Sequence, residues 1–131
     1  MSMLAKDILG RRGEEAAAQY LLARGYQILT RNWRRGRAEV DAIAVSPDAS
    51  TLIFVEVKTR ATELYGYPEL AVTARKMELL NEAADAYMEE LGWVRDVRFD
   101  ILALTVQGEG FKVYQRRLQG LLKSGTRRGR Q

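Results

Sequence analysis

The sequence of 131 residues contains no cysteine and no histidine. Without cysteine there is no disulfide, no thiolate nucleophile and no zinc held by sulfur. Without histidine there is no Ser-His-Asp triad, no imidazole base and none of the usual transition-metal sites. Any catalysis must therefore run on carboxylates, lysine and hydroxyls, with a hard cation as the metal such oxygens suit. Long hydrophobic runs are missing too. None approaches the roughly 20 residues of a membrane span, and the N-terminus lacks the apolar stretch of a signal peptide. The expectation is a cytoplasmic protein with no membrane partner. The length suits one core and is too short for two. An apolar content of 47% and a charged content of 29% are those of an ordinary globular protein.

A net charge of +4 hides a segregation. Residues 1–60 hold 10 Lys/Arg and 7 Asp/Glu, residues 61–109 hold 4 and 10, and residues 110–131 hold 7 and none; the balances are +3, −6 and +7. Basic ends around an acidic middle suit a surface that faces a polyanion. The expected organisation is a single domain over residues 1–118 and a basic, flexible tail over 119–131.

Leu52-Ile53-Phe54-Val55-Glu56-Val57-Lys58-Thr59-Arg60 reads as a strand. Alternation places Leu52, Phe54, Glu56 and Lys58 on one face and Ile53, Val55 and Val57 on the other. Both faces begin apolar, which predicts a central strand with a layer on each side. A carboxylate and an ammonium then share one face at the strand end. Burying either alone would cost roughly several kcal/mol, so the surroundings must compensate. An isolated Glu-x-Lys is commonly just a half-solvated pair, and the rest of the chain decides.

A helical rhythm covers residues 5–24, with Gly10 and Gly13 weakening its early part, so the spacing predicts a solid helix from about Gly13. Glu14 falls on or beside the inward stripe, Glu15 less so; acidic placement in a helix's first turn is the alternative explanation for either. Tyr26–Thr30 reads as a strand, residues 32–37 as a strongly basic turn, and Ala38–Val45 as the returning strand. Asp is depleted in strands, so Asp41 needs a reason. Ser46-Pro47-Asp48-Ala49-Ser50 is a turn, after which the central strand pairs back. The register that sets Val45 against Leu52 also sets Asp41 against Glu56. A loop over 61–72 contains Tyr65-Gly66-Tyr67-Pro68. A helix from the cap Thr73 to Leu91, stopped by Gly92, has the stripe Lys76, Leu80, Ala83, Ala84, Tyr87 and Leu91. Strands at Val97–Val106 and Phe111–Tyr114 close the chain. The predicted fold is α/β, a mixed and mostly antiparallel sheet flanked by helices, in the order α-β-β-β-α-β-β.

Glu14, Asp41, Glu56 and Lys58 thus come from separate elements. Clustered carboxylates repel, and either a proton or a divalent cation resolves the conflict. Mg²⁺ prefers such oxygens, lowers the pKa of bound water and stabilises charge on a phosphoryl oxygen. A neighbouring ammonium can orient or deprotonate the attacking water.

Asp41 followed by Glu56-Val57-Lys58 on adjacent strands, with a glutamate on the preceding helix, resembles the PD-(D/E)-x-K nucleases of restriction-endonuclease-like fold. More narrowly, Gly13-Glu14-x-x-Ala17, Gly25-Tyr26, Asn32-Trp33-Arg34, Glu39-Val40-Asp41, Phe54-Val55-Glu56-Val57-Lys58-x-Arg60, Tyr65-Gly66, Ala71-Val72-Thr73-x-x-Lys76 and Arg98-Phe99-Asp100 resemble the bacterial YraN-like family. That family is inferred to be nuclease-like and related to Holliday-junction resolvases. The resemblance implies an endonuclease that hydrolyses DNA, including branched DNA, with Mg²⁺ or Mn²⁺. Asp41 and Glu56 would be metal ligands, with the Val57 carbonyl as a third, Glu14 would be the outer acid and Lys58 would act on the water. One departure stands out: Ala38 replaces the glycine the family carries before Glu-x-Asp. Arg12, Arg34, Arg35, Arg60 and Lys76 are candidate phosphate contacts. Arg98 and Asp100 have no chemical role legible in sequence. The competing expectation is a nucleic-acid-binding or assembly module that keeps the fold without useful turnover. Two cuts in a branched substrate need two active sites, which a homodimer would supply.

Overall fold

The computed structural model describes residues 2–62 and 73–118. The expected loop around Tyr65-Gly66-Tyr67-Pro68 and the expected tail over 119–131 lie outside the described residues. Helix α1 spans Met3–Ala23, capped by Ser2, whose Oγ accepts the Ala5 N–H at 3.0 Å. It therefore begins ten residues before Gly13, and the cap, with good helix formers on both sides, carries it through both glycines. The strands are β1 (Gln27–Arg35), β2 (Ala38–Val45), β3 (Thr51–Arg60), β4 (Asp96–Gln107) and β5 (Gly110–Arg117), with α2 (Ala74–Leu91) between β3 and β4. The element order is the expected one.

The sheet runs β1-β2-β3-β4-β5, parallel only between β3 and β4, where the crossover carries α2. Strand β3 is central, and its two faces lie in separate clusters. Leu52 and Phe54 pack with Leu80, Ala84 and Met88 of α2, whereas Ile53 and Val55 pack with Ala17 and Leu21 of α1. One helix thus covers each face, and the sheet is the middle layer of three. Helix α2 starts where Thr73 Oγ1 accepts the Lys76 N–H at 3.1 Å and ends at Gly92, whose φ of 73° is the left-handed stop that glycine allows. Its inward stripe finishes on buried Met88; Leu91, the last residue of the helix, is exposed.

Two boundaries differ from the sequence pattern. The expected basic turn over residues 32–37 is strand as far as Arg35, and only Gly36 and Arg37 turn. Pairing with β2 overrides local propensity there, and Glu39, opposite Arg34, forms an ion pair with it at 2.8 Å. Strand β5 also runs to Arg117, because an edge strand with alternately exposed polar residues lacks the apolar signal of a buried one.

Candidate active site where two strands part

The hairpin turn sets the geometry. Asp48 Oδ1 accepts hydrogen bonds from Ser46 Oγ (2.7 Å), Ser50 N–H (3.0 Å) and Ser50 Oγ (2.7 Å), which hold its carboxyl down at about 2. The ladder then runs from Val45↔Leu52 to Ala42↔Val55. That is the expected register, and it ends one residue short of Asp41 and Glu56. The backbone ladder stops there: Asp41 Oδ2, instead of a carbonyl, accepts the Val57 N–H at 2.6 Å. Beyond this point β2 remains paired with β1, and β3 remains paired with β4. The two strands part around the carboxylate.

Alternation along β2 breaks at the same place. Ala38 and Val40 lie in the cluster under α2, but Ala42 lies in the cluster under α1. Opposite Asp41 on β1 is Asn32, with a φ of 51° in the left-handed region that asparagine tolerates. Ala38 itself is buried and paired regularly with Arg35, so the position needs no glycine here.

Glu14 reaches the site from α1. It lies mid-helix, so first-turn placement does not explain it. Gly13 does: a methyl group there would overlap the Thr59 side chain, and its absence lets α1 rest directly on β3. Glu15 points outward to Arg31 at 2.8 Å. Glu56 comes from the other face, held by Lys76 of α2, with Nζ 3.0 Å from Oε1. Asp41 lies between the two layers. Its carboxyl is raised from 3.8 to about 6: burial is the largest cause and the charges of Glu14 and Glu56 add to it, while the Val57 hydrogen bond and the Lys76 charge hold the rise back. Lys58 is half-buried two residues beyond Glu56 and makes no ion pair or hydrogen bond among the described residues.

The sequence-nominated residues therefore divide. Glu14, Asp41, Glu56 and Lys76 form one electrostatic cluster, with Lys58 next along the strand. Arg60 lines the groove beside Glu14. Arg12, Arg34 and Arg35 are engaged elsewhere. Arg12 donates to the Glu109 carbonyl at 3.2 Å and lies over the Phe111 ring, Arg34 pairs with Glu39, and Arg35 pairs with Glu90 at 2.6 Å. Arg98 and Asp100 prove structural: buried Asp100 accepts two bonds from Arg98 at 2.9 Å and one from Gln115 at 2.7 Å, while the Tyr26 hydroxyl accepts from Arg98 at 3.1 Å. Sequence reading missed Gly13 as a contact residue, although a helical glycine directly before an inward acid was the available signal.

The donor chemistry suits a hard cation: oxygen-only, anionic and half-buried. Among the described residues no three acidic side chains form a group that holds one ion together. Mg²⁺, however, is commonly held by one or two carboxylates and keeps its waters.

A mixed α/β sheet whose central strand ends in an acid-and-lysine cluster is the class of protein this chain represents. It belongs to a family described as Uncharacterised protein family UPF0102, the YraN family that its motifs resemble; the family model matches residues 13–104. A UPF0102 protein of Prosthecochloris aestuarii is 46% identical over 113 residues, which cover 82% of this chain and 84% of that one. Among solved structures the chain is similar to one in an EndoMS-dsDNA2 complex, at TM-score 0.38 and 20% identity over 66% of this chain and 34% of that chain. It is likewise similar to Pyrococcus furiosus SfsA in complex with Ca²⁺, at TM-score 0.38 and 17% identity over 86% of this chain and 64% of that chain. It thus spans less than two thirds of either solved chain. Among the described residues no helix is long and apolar enough to cross a membrane.

Proposed function

We propose that this protein is a Mg²⁺- or Mn²⁺-dependent endonuclease that hydrolyses phosphodiester bonds in DNA. The observation that carries the reading is Asp41, a strand carboxylate held where ionisation is unfavourable, against Glu14 and Glu56. Such a site is costly as structure and useful as a cation seat. Asp41 and Glu56 would hold the ion, with Glu14 adding charge. Bound there, the metal would acidify water and offset charge on the phosphoryl oxygen. In this reading Lys58, whose ammonium has no partner among the described residues, orients the attacking water. Lys76, paired with Glu56 at 3.0 Å, would answer the negative charge of a phosphate beside the acids.

A second reading is a nucleic-acid-binding module without turnover, favoured by the Lys76–Glu56 pair, which already neutralises one of the acids. One experiment separates them. Labelled linear, single-stranded and four-way-junction DNA is incubated with the protein and Mg²⁺, Mn²⁺ or EDTA, beside an Asp41→Asn/Glu56→Gln variant. Metal-dependent cutting by the native chain alone supports the nuclease. Salt-sensitive binding without cutting supports the module.

A further inference from the structure

Two glycines interrupt α1, and packing accounts for only one of them. Gly13 is required by Thr59, whereas a methyl group on Gly10 would meet nothing within 4 Å. Glycine inside a helix is less favourable than alanine, so Gly10 weakens α1 without serving a contact. It does line a groove of about 700 Å³ between α1 and the end of β3. Leu9, Gly10 and Val57 form the apolar floor, Lys6 and Arg60 supply positive charge, and Glu14 belongs both to this groove and to the acidic cluster. Neither Lys6 nor Arg60 has an ion-pair partner among the described residues. The volume falls in the range of about 300–1,000 Å³ typical of small-ligand sites.

We propose that this groove receives one unstacked nucleotide of the strand whose backbone crosses the acidic cluster. The inference rests on the nuclease reading and names its substrate class: nucleic acid with unpaired nucleotides at the cut. A base is a flat, largely apolar body flanked by phosphates, which matches an apolar floor with cations at hand and an opening onto Glu14. A base inside an intact duplex faces its partner and its stacking neighbours, so it cannot enter such a groove without being extruded. Lys6 and Arg60 meet the phosphates on either side, and Gly10 keeps the floor clear.

The test is Gly10→Leu, which fills the groove, has open space for its Cβ and favours the helix. Fluorescence anisotropy in EDTA measures the affinity of the native chain and the variant for a short single strand, the same strand with abasic sites and its duplex. Cleavage with Mn²⁺ is measured in parallel, and melting confirms that the variant is folded. The native chain should prefer the single strand to the abasic strand. The variant should melt higher and lose about tenfold in its single-strand-to-duplex affinity ratio, the scale of one lost base contact. An unchanged ratio, or equal binding of intact and abasic strands, overturns the proposal even if the native protein cuts DNA. Groove-dependent binding without any cutting sustains the proposal as a binding site and defeats the nuclease reading instead.

Discussion

Asp41→Asn should make this protein more stable at neutral pH. The carboxyl titrates near 3.8 when unfolded and near 6 in the fold, so the native state holds its proton more tightly. A raised pKa contributes stability that is fully present below pH 3.8 and lost as pH rises through about 6. The interval of about 2 pH units, at about 1.36 kcal/mol each, amounts to about 3 kcal/mol. Asparagine keeps an oxygen for the Val57 N–H and removes the charge facing Glu14 and Glu56. At pH 8 the variant should therefore exceed the native chain by about 3 kcal/mol, or about 10 °C in melting temperature, while at pH 4 the two should nearly coincide. Urea denaturation at a series of pH values measures both. Asp48 does not confuse the result, because its carboxyl, held near 2, loses its contribution only below pH 4. A native stability that stays flat from pH 4 to 7, with the variant weaker at pH 8, would refute the reasoning. Adding Mg²⁺ at pH 8 should stabilise the native chain and not the variant, because only the ionised site binds the ion.

Asp100→Ala leaves the Arg98 guanidinium without its bidentate partner and should cost about 3–5 kcal/mol in urea denaturation; a loss under about 1 kcal/mol would mean that Gln115 and Tyr26 suffice. Gly13→Ala forces its methyl into the stiff, branched Thr59 and should cost about 1–3 kcal/mol despite the better helix propensity, with Thr59→Ala recovering part of the loss. The same substitution displaces Glu14, so the Asp41 carboxyl followed by NMR should titrate at lower pH. Lys58→Ala should lower single-turnover cleavage by about 100-fold or more with little change in DNA affinity, whereas equal losses would make it a phosphate contact.

Sequence carried the elements that obey strong local rules. The central strand was legible because both its faces are apolar before Glu56. The second helix was legible because Thr73 and Gly92 bracket it, and the turn between β2 and β3 was legible too, although it did not by itself select the register of the two strands. The start of α1 was obscured, because glycine lowers helix propensity whether or not tertiary contact requires it. The arginines of β1 read as a turn, since only pairing across to Glu39 makes a strand of so polar a run. Asn32 could not be placed opposite Asp41 without the full register of β1.

By itself the sequence determined which chemistry is available: with no cysteine and no histidine, only carboxylates, lysine and hydroxyls remain. The tertiary structure decided which charges answer one another. Lys76 rather than Lys58 neutralises Glu56, Glu14 reaches the site because Gly13 meets Thr59, and three of the nominated arginines are bound elsewhere. Ion pairs between separate elements depend on distances of a few ångströms and on helix placement, and neither is written in the local pattern of residues.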